Sequence, residues 1–407
     1  MMYSLTPPVQ LQGTIDLPTS KSISNRALLL SSLANNRLPV TRVATCDDTR
    51  VMQAALQHTT HIIDIGAAGT AMRFLTAYFA TQDGTWTLTG SERMKQRPIK
   101  LLAEALNSLG ADIRYLEKEG FPPLEISGKP LQGGELRLQG NVSSQFISAL
   151  LMIAPTMQQG MTLTLEGRVI SRPYIRMTLN MMEAFGVHAE WKDQRIIVKP
   201  QPYHPSAFAV ESDWSAASYW YGMAALMPNA ELTLLGLQQN SLQGDSKCAE
   251  LFASLGVSSH FSSEGVVITS TGNTVSFFSY NFVDQPDLAQ TVVVTCCLLG
   301  VCFRFEGLHS LTIKETDRIA ALMKELAKIG YLVSNPEEGV LEWNGERTLP
   351  STPAIIDTYD DHRMAMAFAI ASLRHSVTIA HPEVVSKSYP MFWDNLKQVG
   401  FVLKNKS

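Results

Sequence analysis

Six times along this chain an extended stretch leads through a short polar turn into a helix rich in small and apolar residues. The turns fall near Ser20, Gly69, Ser143, Asp213, Asp287 and His362, and after a shorter first interval they return at roughly 70-residue spacing. That period is long for a solenoid repeat and suits a complete α+β unit. Each copy adds a second, amphipathic helix that stops at a turn and passes into a strand, as in Leu101-Leu102-Ala103-Glu104-Ala105-Leu106-Asn107-Ser108-Leu109-Gly110-Ala111-Asp112-Ile113. The same grammar recurs from Leu179 to Trp191, Cys248 to Phe261, Met323 to Val333 and Asn395 to Leu403. In these five copies glycine ends the helix, where a left-handed residue is wanted, and alternating apolar residues begin the strand. The first copy, Val51 to Ile65, follows the pattern without the glycine. Six such units are too many for one core, so two domains of three units each are expected. No linker-like run separates the halves, and close-set crossing strands are the expected junction.

Composition sets the outer bounds. With 407 residues, 45% of them hydrophobic, the chain has apolar material for two ordinary cores. A formal net charge of -4 gives no general reason to bind nucleic acid or an anionic membrane, so any anion site must be built locally. The start, Met1-Met2-Tyr3-Ser4-Leu5-Thr6-Pro7-Pro8, lacks the basic and apolar regions of a targeting signal, which makes the cytoplasm the expected location. The longest apolar stretch, Val292 to Phe303, falls short of the ~20 residues a membrane helix needs. Cys46, Cys248, Cys296, Cys297 and Cys302 form an odd set without zinc-type pairing and read as buried, reduced thiols; no metal is expected.

Chemistry gathers at the recurring turns. Pro18-Thr19-Ser20-Lys21-Ser22-Ile23-Ser24-Asn25-Arg26 puts hydroxyls and a lysine at a helix start with an arginine one turn inside. Free backbone N–H groups, the helix dipole and two cations suit a phosphate, although serines ahead of a helix also serve as plain caps. In Gly66-Ala67-Ala68-Gly69-Thr70-Ala71-Met72-Arg73 the lack of side chains lets an anion approach the backbone, and the basic Arg93-Met94-Lys95-Gln96-Arg97-Pro98 follows. Asn141-Val142-Ser143-Ser144-Gln145-Phe146 and Ser171-Arg172-Pro173-Tyr174 offer neutral donors fit for a polyhydroxylated, phosphorylated compound. The second half supplies Asp287, Lys314-Glu315-Thr316-Asp317-Arg318, Asp360-Asp361-His362-Arg363 and Ser386-Lys387-Ser388-Tyr389. Lys314 and Arg318, four apart, would share a helical face and repel unless an anion lay between them. The competing reading of that stretch is a salt-bridged surface helix, with Glu315 and Asp317 pairing the cations.

Taken in order, Ser20-Lys21-Ser22-Ile23-Ser24-Asn25-Arg26, Ala68-Gly69-Thr70-Ala71-Met72-Arg73, Leu88-Thr89-Gly90, Arg93 to Pro98, Ser143-Ser144-Gln145-Phe146, Lys314 to Arg318 and Asp361-His362-Arg363-Met364-Ala365-Met366 resemble the motifs of one family. It is the 5-enolpyruvylshikimate-3-phosphate synthases, also called 3-phosphoshikimate 1-carboxyvinyltransferases, a family of enolpyruvyl transferases. The motifs span nearly the whole chain in the family's order. The resemblance implies an α/β fold of two inside-out, barrel-like domains, each of three βαβαββ units, joined by two crossover strands near Lys21 and Asp213. Residues 21–212 would form the first domain, residues 1–20 with 213–407 the second, and the active site would lie in the cleft between them.

The resemblance further implies transfer of the enolpyruvyl group of phosphoenolpyruvate to the 5-hydroxyl of shikimate 3-phosphate, a step toward chorismate and the aromatic amino acids and the target of glyphosate. Lys21, Ser22, Arg26, Ser143, Ser144, Gln145, Ser171, Tyr174, Asp287 and Lys314 would hold shikimate 3-phosphate. Lys21, Gly69, Arg97, Gln145, Arg318, Arg363 and Lys387 would hold phosphoenolpyruvate. Asp287 would take the hydroxyl proton, Glu315 and Lys21 would handle the proton at C3, with neighbouring cations lowering the pKa of Lys21, and His362 would orient or donate. No cofactor, metal, nucleic acid or membrane is called for, and a monomer is expected. Ala67 and Ser310 stand where the family usually has asparagine, which touches fine tuning of affinity. The enolpyruvyl transferase acting on UDP-N-acetylglucosamine typically has lysine-asparagine in the first turn and a cysteine acid in a loop. Here Ser22 follows Lys21, and the loop from Arg93 to Pro98 has no cysteine. A non-catalytic, metabolite-binding relative is the third reading, and retention of Asp287, Glu315 and Lys21 together argues against it.

Overall fold

Helices of two kinds alternate along the chain, in a computed structural model that describes residues 1–35, 38–57 and 60–406. They are α1 (Lys21–Leu33), α2 (Asp47–Leu56), α3 (Gly69–Phe79), α4 (Lys100–Ser108), α5 (Ser144–Ile153), α6 (Arg172–Ala184), α7 (Trp214–Leu226), α8 (Cys248–Ala253), α9 (Ala289–Leu299), α10 (Arg318–Lys328), α11 (His362–Ala369) and α12 (Phe392–Gln398). The odd-numbered helices begin at the six polar turns. Most of their residues are apolar or small, and burial is deepest in α9 and α11: every residue of α11, and all of α9 except Leu299, lie out of solvent. The even-numbered helices keep one wet face. The glycines after α4, α6, α8, α10 and α12 all take positive φ, as at Gly330 (94°) and Gly400 (94°), where a side chain would strain the left-handed turn into the next strand. The stretch from Val51 to Ile65 contains the second half of α2 and the strand Ile62–Asp64, with residues 58 and 59 outside the described set.

Strands follow one pattern. Ile62–Asp64, Gly84–Thr89, Leu124–Gly128 and Asp112–Tyr115 lie side by side in that order, the first pair parallel and the others antiparallel. Gly134–Gln139, Met161–Glu166, Arg195–Val198 and Ala189–Lys192 repeat it, as do Gln12–Asp16, Glu231–Leu235, Gly265–Thr274 and Leu255–Phe261. Burial alternates strictly along Met161–Glu166, as expected for a sheet with one face on the core and one toward water. The fourth such sheet is assembled from both ends of the chain: Ala354–Ile356, Val377–Ala380, Met2–Thr6 and Val402–Lys406. A three-stranded version joins Phe277–Asn281, Cys302–Glu306 and Leu341–Trp343, and a short one pairs Val40–Thr41 with Phe208–Ala209.

These elements fall into two compact units. One is continuous, Ser20–Val210; the other is discontinuous, Met1–Thr19 with Glu211–Ser407. Each is an inside-out α/β body with three buried helices at its centre and sheets outside them. Thr19 and Ser212 form an antiparallel bridge within the discontinuous unit. Four of the cysteines are buried and Cys302 is half-buried; all are free thiols. Among the described residues no helix is long and apolar enough to cross a membrane, and no group of three or more metal-ligating side chains is placed to hold an ion.

Candidate active-site residues

In the continuous unit the polar turns cap α1 and α5. The Ser20 hydroxyl accepts from the Ile23 amide at 3.5 Å and Ser143 accepts from the Gln145 amide at 3.3 Å, while α3, preceded by Ala68, has no side-chain cap. Side chains then join the helix starts. Gln145 Nε2 donates to Thr70 Oγ1 at 3.1 Å, tying α5 to α3. The Arg97 guanidinium lies so close to the first residue of α3 that a Cβ on Gly69 would stand 2.6 Å from Nη1. Arg97 Nε is buried without a hydrogen-bond partner, a costly state for a cation and one that a bound anion relieves.

Lys21 opens α1, and its ammonium sits 3.0 Å from Asp48 Oδ2 in the first turn of α2. Asp48 is itself buried, so this ion pair ties the start of α1 to α2. Ser22 and Ser144 occupy the first turns of α1 and α5. Arg26, read from sequence as a ligand cation, is only 2% exposed. Its Nε donates to Thr178 Oγ1 at 2.8 Å, Nη1 to the Ser22 carbonyl at 2.8 Å and Nη2 to Ser148 Oγ at 3.1 Å, and the guanidinium lies over Phe74. Burial draws its pKa down to about 10. Arg26 thus pins α1 to α5 and α6 and fixes the Ser22 backbone. At the start of α6, Ser171 has left-handed backbone (φ 52°), and its carbonyl accepts from the Tyr174 amide.

The discontinuous unit carries a denser charge cluster at the starts of α9, α10 and α11. Asp287, in the 3-10 turn ahead of α9, receives Arg363 Nη2 at 2.9 Å, Arg318 Nη1 at 3.4 Å and Lys314 Nζ at 3.9 Å. Glu315 pairs with Arg318 Nη2 and with Lys387 Nζ, each at 3.0 Å. Asp361 caps α11 and holds Arg318 through both oxygens, at 2.6 Å to Nε and 3.2 Å to Nη2. His362 is 2% exposed, with Nδ1 3.7 Å from Asp361 Oδ1. Four cations thus face three carboxylates, leaving one positive charge in excess. Burial by itself would raise the Asp287 carboxyl, but Arg363, Lys314 and Arg318 hold it far below the usual carboxylate range. Burial lowers the Lys314 ammonium from its ordinary value despite the attraction of Asp287.

The shared helical face expected for Lys314 and Arg318 is not formed. Asp317 accepts from the Ile319 and Ala320 amides at 3.1 Å and so caps α10, which begins only at Arg318; Lys314 lies ahead of it in extended backbone. The two cations meet through Asp287 instead. Asp317 spends its carboxylate on the cap, and only Glu315 pairs with cations as the surface-helix reading supposed.

Sequence reasoning missed two acids. Asp48 was signalled only by acidic residues in the first turn of a helix. Asp245, 3% exposed, accepts a very short hydrogen bond from Ser215 Oγ at the start of α7, while its other oxygen is buried without a partner. Burial, then the charge of Asp287, pushes Asp245 up to about 7. Its segment, Leu242-Gln243-Gly244-Asp245-Ser246-Lys247, carries no signal that separates it from an ordinary exposed turn.

Comparison with known proteins shows the family. The family model for EPSP synthase (3-phosphoshikimate 1-carboxyvinyltransferase) matches residues 5–61 and 54–396. A 3-phosphoshikimate 1-carboxyvinyltransferase of Bacteroides fragilis is 54% identical over 406 residues, 99% of each chain. One of Aliivibrio salmonicida is 37% identical over 98% of this chain and 100% of its own. A solved EPSP synthase from Acinetobacter baumannii shares the fold, with a TM-score of 0.78 at 21% identity over 99% of this chain and 100% of that one. The chain belongs to the EPSP synthase family.

Proposed function

We propose that this protein transfers the enolpyruvyl group of phosphoenolpyruvate to the 5-hydroxyl of shikimate 3-phosphate and releases inorganic phosphate. Family membership over the full chain supports the reaction. The observation that carries the site is the cluster in which Arg318, Arg363, Lys314 and Lys387 surround Asp287 and Glu315 with a net positive charge.

Phosphoenolpyruvate, with a carboxylate and a phosphate, takes Arg318, Arg363 and Lys387 from that cluster and Lys21, Gly69, Arg97 and Gln145 from the continuous unit. The arginines offer planar forks and the lysines point charges. Shikimate 3-phosphate takes Lys21, Ser22, Arg26, Ser143, Ser144, Gln145, Ser171 and Tyr174 with Asp287 and Lys314, and Arg26 also holds the Ser22 backbone in place. The reading requires groups of both units to act on one pair of substrates.

In the addition step, the 5-oxygen bonds to C2 of phosphoenolpyruvate, its proton passes to Asp287 and C3 receives a proton from Glu315 or Lys21. The tetrahedral intermediate then loses a proton from C3 as the C2–O bond to phosphate breaks, which restores the double bond. Asp287 in the ligand-free protein is a weak base because three cations hold its charge. An anionic substrate that draws Arg318 and Arg363 to itself weakens that hold and raises the basicity of Asp287, so acid–base competence is coupled to substrate binding. Cations already in place also stabilise charge on departing phosphate. The protein acts in the cytoplasm as a monomer in this reading.

Phosphate release with both substrates present tests it, with Lys21→Met and Glu315→Gln each expected to reduce kcat by about 100-fold or more. Full activity in both variants would overturn the assignment of roles, and no release by the parent chain would overturn the reaction.

A further inference from the structure

Two consecutive non-glycine residues stand in left-handed backbone immediately before Asp361, His362 and Arg363: Tyr359 (φ 52°) and Asp360 (φ 54°). In that conformation Cβ crowds the neighbouring carbonyl, so a tyrosine and an aspartate in tandem persist only where their surroundings hold them. Glu325 supplies the hold. It lies on α10 and is fully buried. One carboxylate oxygen accepts a very short hydrogen bond from the Tyr359 hydroxyl, and the other accepts from the Asp357 amide at 3.0 Å and pairs with Lys328. Asp357 in turn accepts from the Tyr359 amide at 3.1 Å, and Lys324 lies over the Tyr359 ring.

Glu325 is seven residues, two helical turns, beyond Arg318 and therefore on the same face of α10. Arg318 grips Asp361 through both carboxylate oxygens. One rigid helix thus clamps the segment 357–361 on both sides of the left-handed pair. Arg363 follows directly; its amide donates to Asp361 Oδ1 at 2.9 Å and its guanidinium reaches Asp287. A relaxed pair 359–360 would swing the start of α11 and carry Arg363 away from the position it shares with Arg318.

We propose that Glu325, acting with Tyr359, is a positioning residue for phosphoenolpyruvate: by holding Tyr359 and Asp360 in left-handed backbone it sets where Asp361 and Arg363 stand. The inference rests on the functional reading given above, and it concerns a side chain that touches no substrate. Its signature is selective. Phosphoenolpyruvate binding suffers, while shikimate 3-phosphate, held in that reading mainly by α1, α5 and α6, is little affected.

The test compares Glu325→Gln, Tyr359→Phe, Asp360→Gly and the double variant Glu325→Gln/Asp360→Gly by steady-state phosphate release, with circular dichroism to score folding. Glu325→Gln is expected to raise KM for phosphoenolpyruvate about 10- to 100-fold, the scale set by misplacing a binding group by about 1 Å. KM for shikimate 3-phosphate should stay within about 2-fold. Tyr359→Phe, which loses one hydrogen bond, should raise KM for phosphoenolpyruvate by about 3-fold, and it serves as the measure should Glu325→Gln fail to fold. Asp360 is exposed, and glycine adopts the left-handed region freely, so adding Asp360→Gly to Glu325→Gln should bring KM back toward the parent value. A merely structural Glu325 would show lost folded protein, both KM values moving together and no rescue by glycine; that outcome, or an unchanged KM in a folded variant, overturns the proposal while the parent's activity leaves the functional reading standing. An inactive parent chain would instead sink that reading, and this inference with it.

Discussion

Replacing Gly69 with alanine should weaken phosphoenolpyruvate binding without harming the fold. The added Cβ would lie 2.6 Å from Arg97 Nη1, 3.0 Å from Nη2 and 3.1 Å from Cζ, whereas ordinary contact begins near 3.4 Å. The guanidinium must therefore retreat by about 0.8 Å from its nearest approach. It is the free end of a flexible side chain, and alanine at a helix start is no worse a helix former than glycine, so stability should change by less than about 1 kcal/mol. Retreat costs the ligand one charge-assisted hydrogen bond, about 1.5–3 kcal/mol, which corresponds to a roughly 10- to 100-fold rise in KM for phosphoenolpyruvate. Glyphosate, a phosphonate that competes for the same cations in the functional reading, should lose inhibition by at least as much. The assay is phosphate release against phosphoenolpyruvate concentration at saturating shikimate 3-phosphate, repeated with glyphosate. A folded Gly69→Ala protein whose KM for phosphoenolpyruvate and whose inhibition by glyphosate both stay within 2-fold of the parent would show that Arg97 does not grip the ligand.

Two further outcomes are expected. Asp245 has its native pKa raised from 3.8 to about 7, so the native state keeps a proton that the unfolded chain gives up; the stabilisation is full below about pH 4 and is lost as pH rises through 7. Between pH 5 and pH 8 this amounts to about 3 kcal/mol, which Asp245→Asn should abolish; urea midpoints at the two pH values that fall equally in parent and variant would contradict it. Because the functional reading has both units acting on the same substrates, saturating shikimate 3-phosphate should reduce the radius of gyration in small-angle scattering, and an unchanged value would count against closure.

Much of the architecture is legible because it is local and repeated. Ser20, Ser143, Asp213 and Asp361 announce helix starts through side chains that cap the very next turn, and Gly330 and Gly400 announce helix ends through a backbone angle that other residues resist. The charge cluster is legible only as a list of ingredients. Its pairings join positions 43 residues apart for Arg318 with Asp361 and 76 apart for Arg363 with Asp287, and nothing within either segment names the other. Asp48 and Asp245 escape notice for that reason. Lys314 and Arg318 show the opposite error: their spacing suggested a shared helical face, but Asp317 between them is a cap, and a cap ends the helical register at its own position. Arg26 lies on the inner face of α1 with Ile23 and Leu30, and its bonds to Thr178 and Ser148, far along the chain, are likewise invisible in its own segment.

The sheet that seats Met2–Thr6 between Val377–Ala380 and Val402–Lys406 gives the chain an order of assembly. During synthesis the residues of the continuous unit have all emerged by the time Val210 leaves the ribosome, and they can pack while translation continues. The strand Met2–Thr6 cannot take its place in this sheet until residues 377–380 and 402–406, made long after it, are available, because both of its neighbours come from there. The continuous unit, Ser20–Val210, has no such dependence, so the discontinuous body is the one whose completion requires segments far apart in sequence to meet.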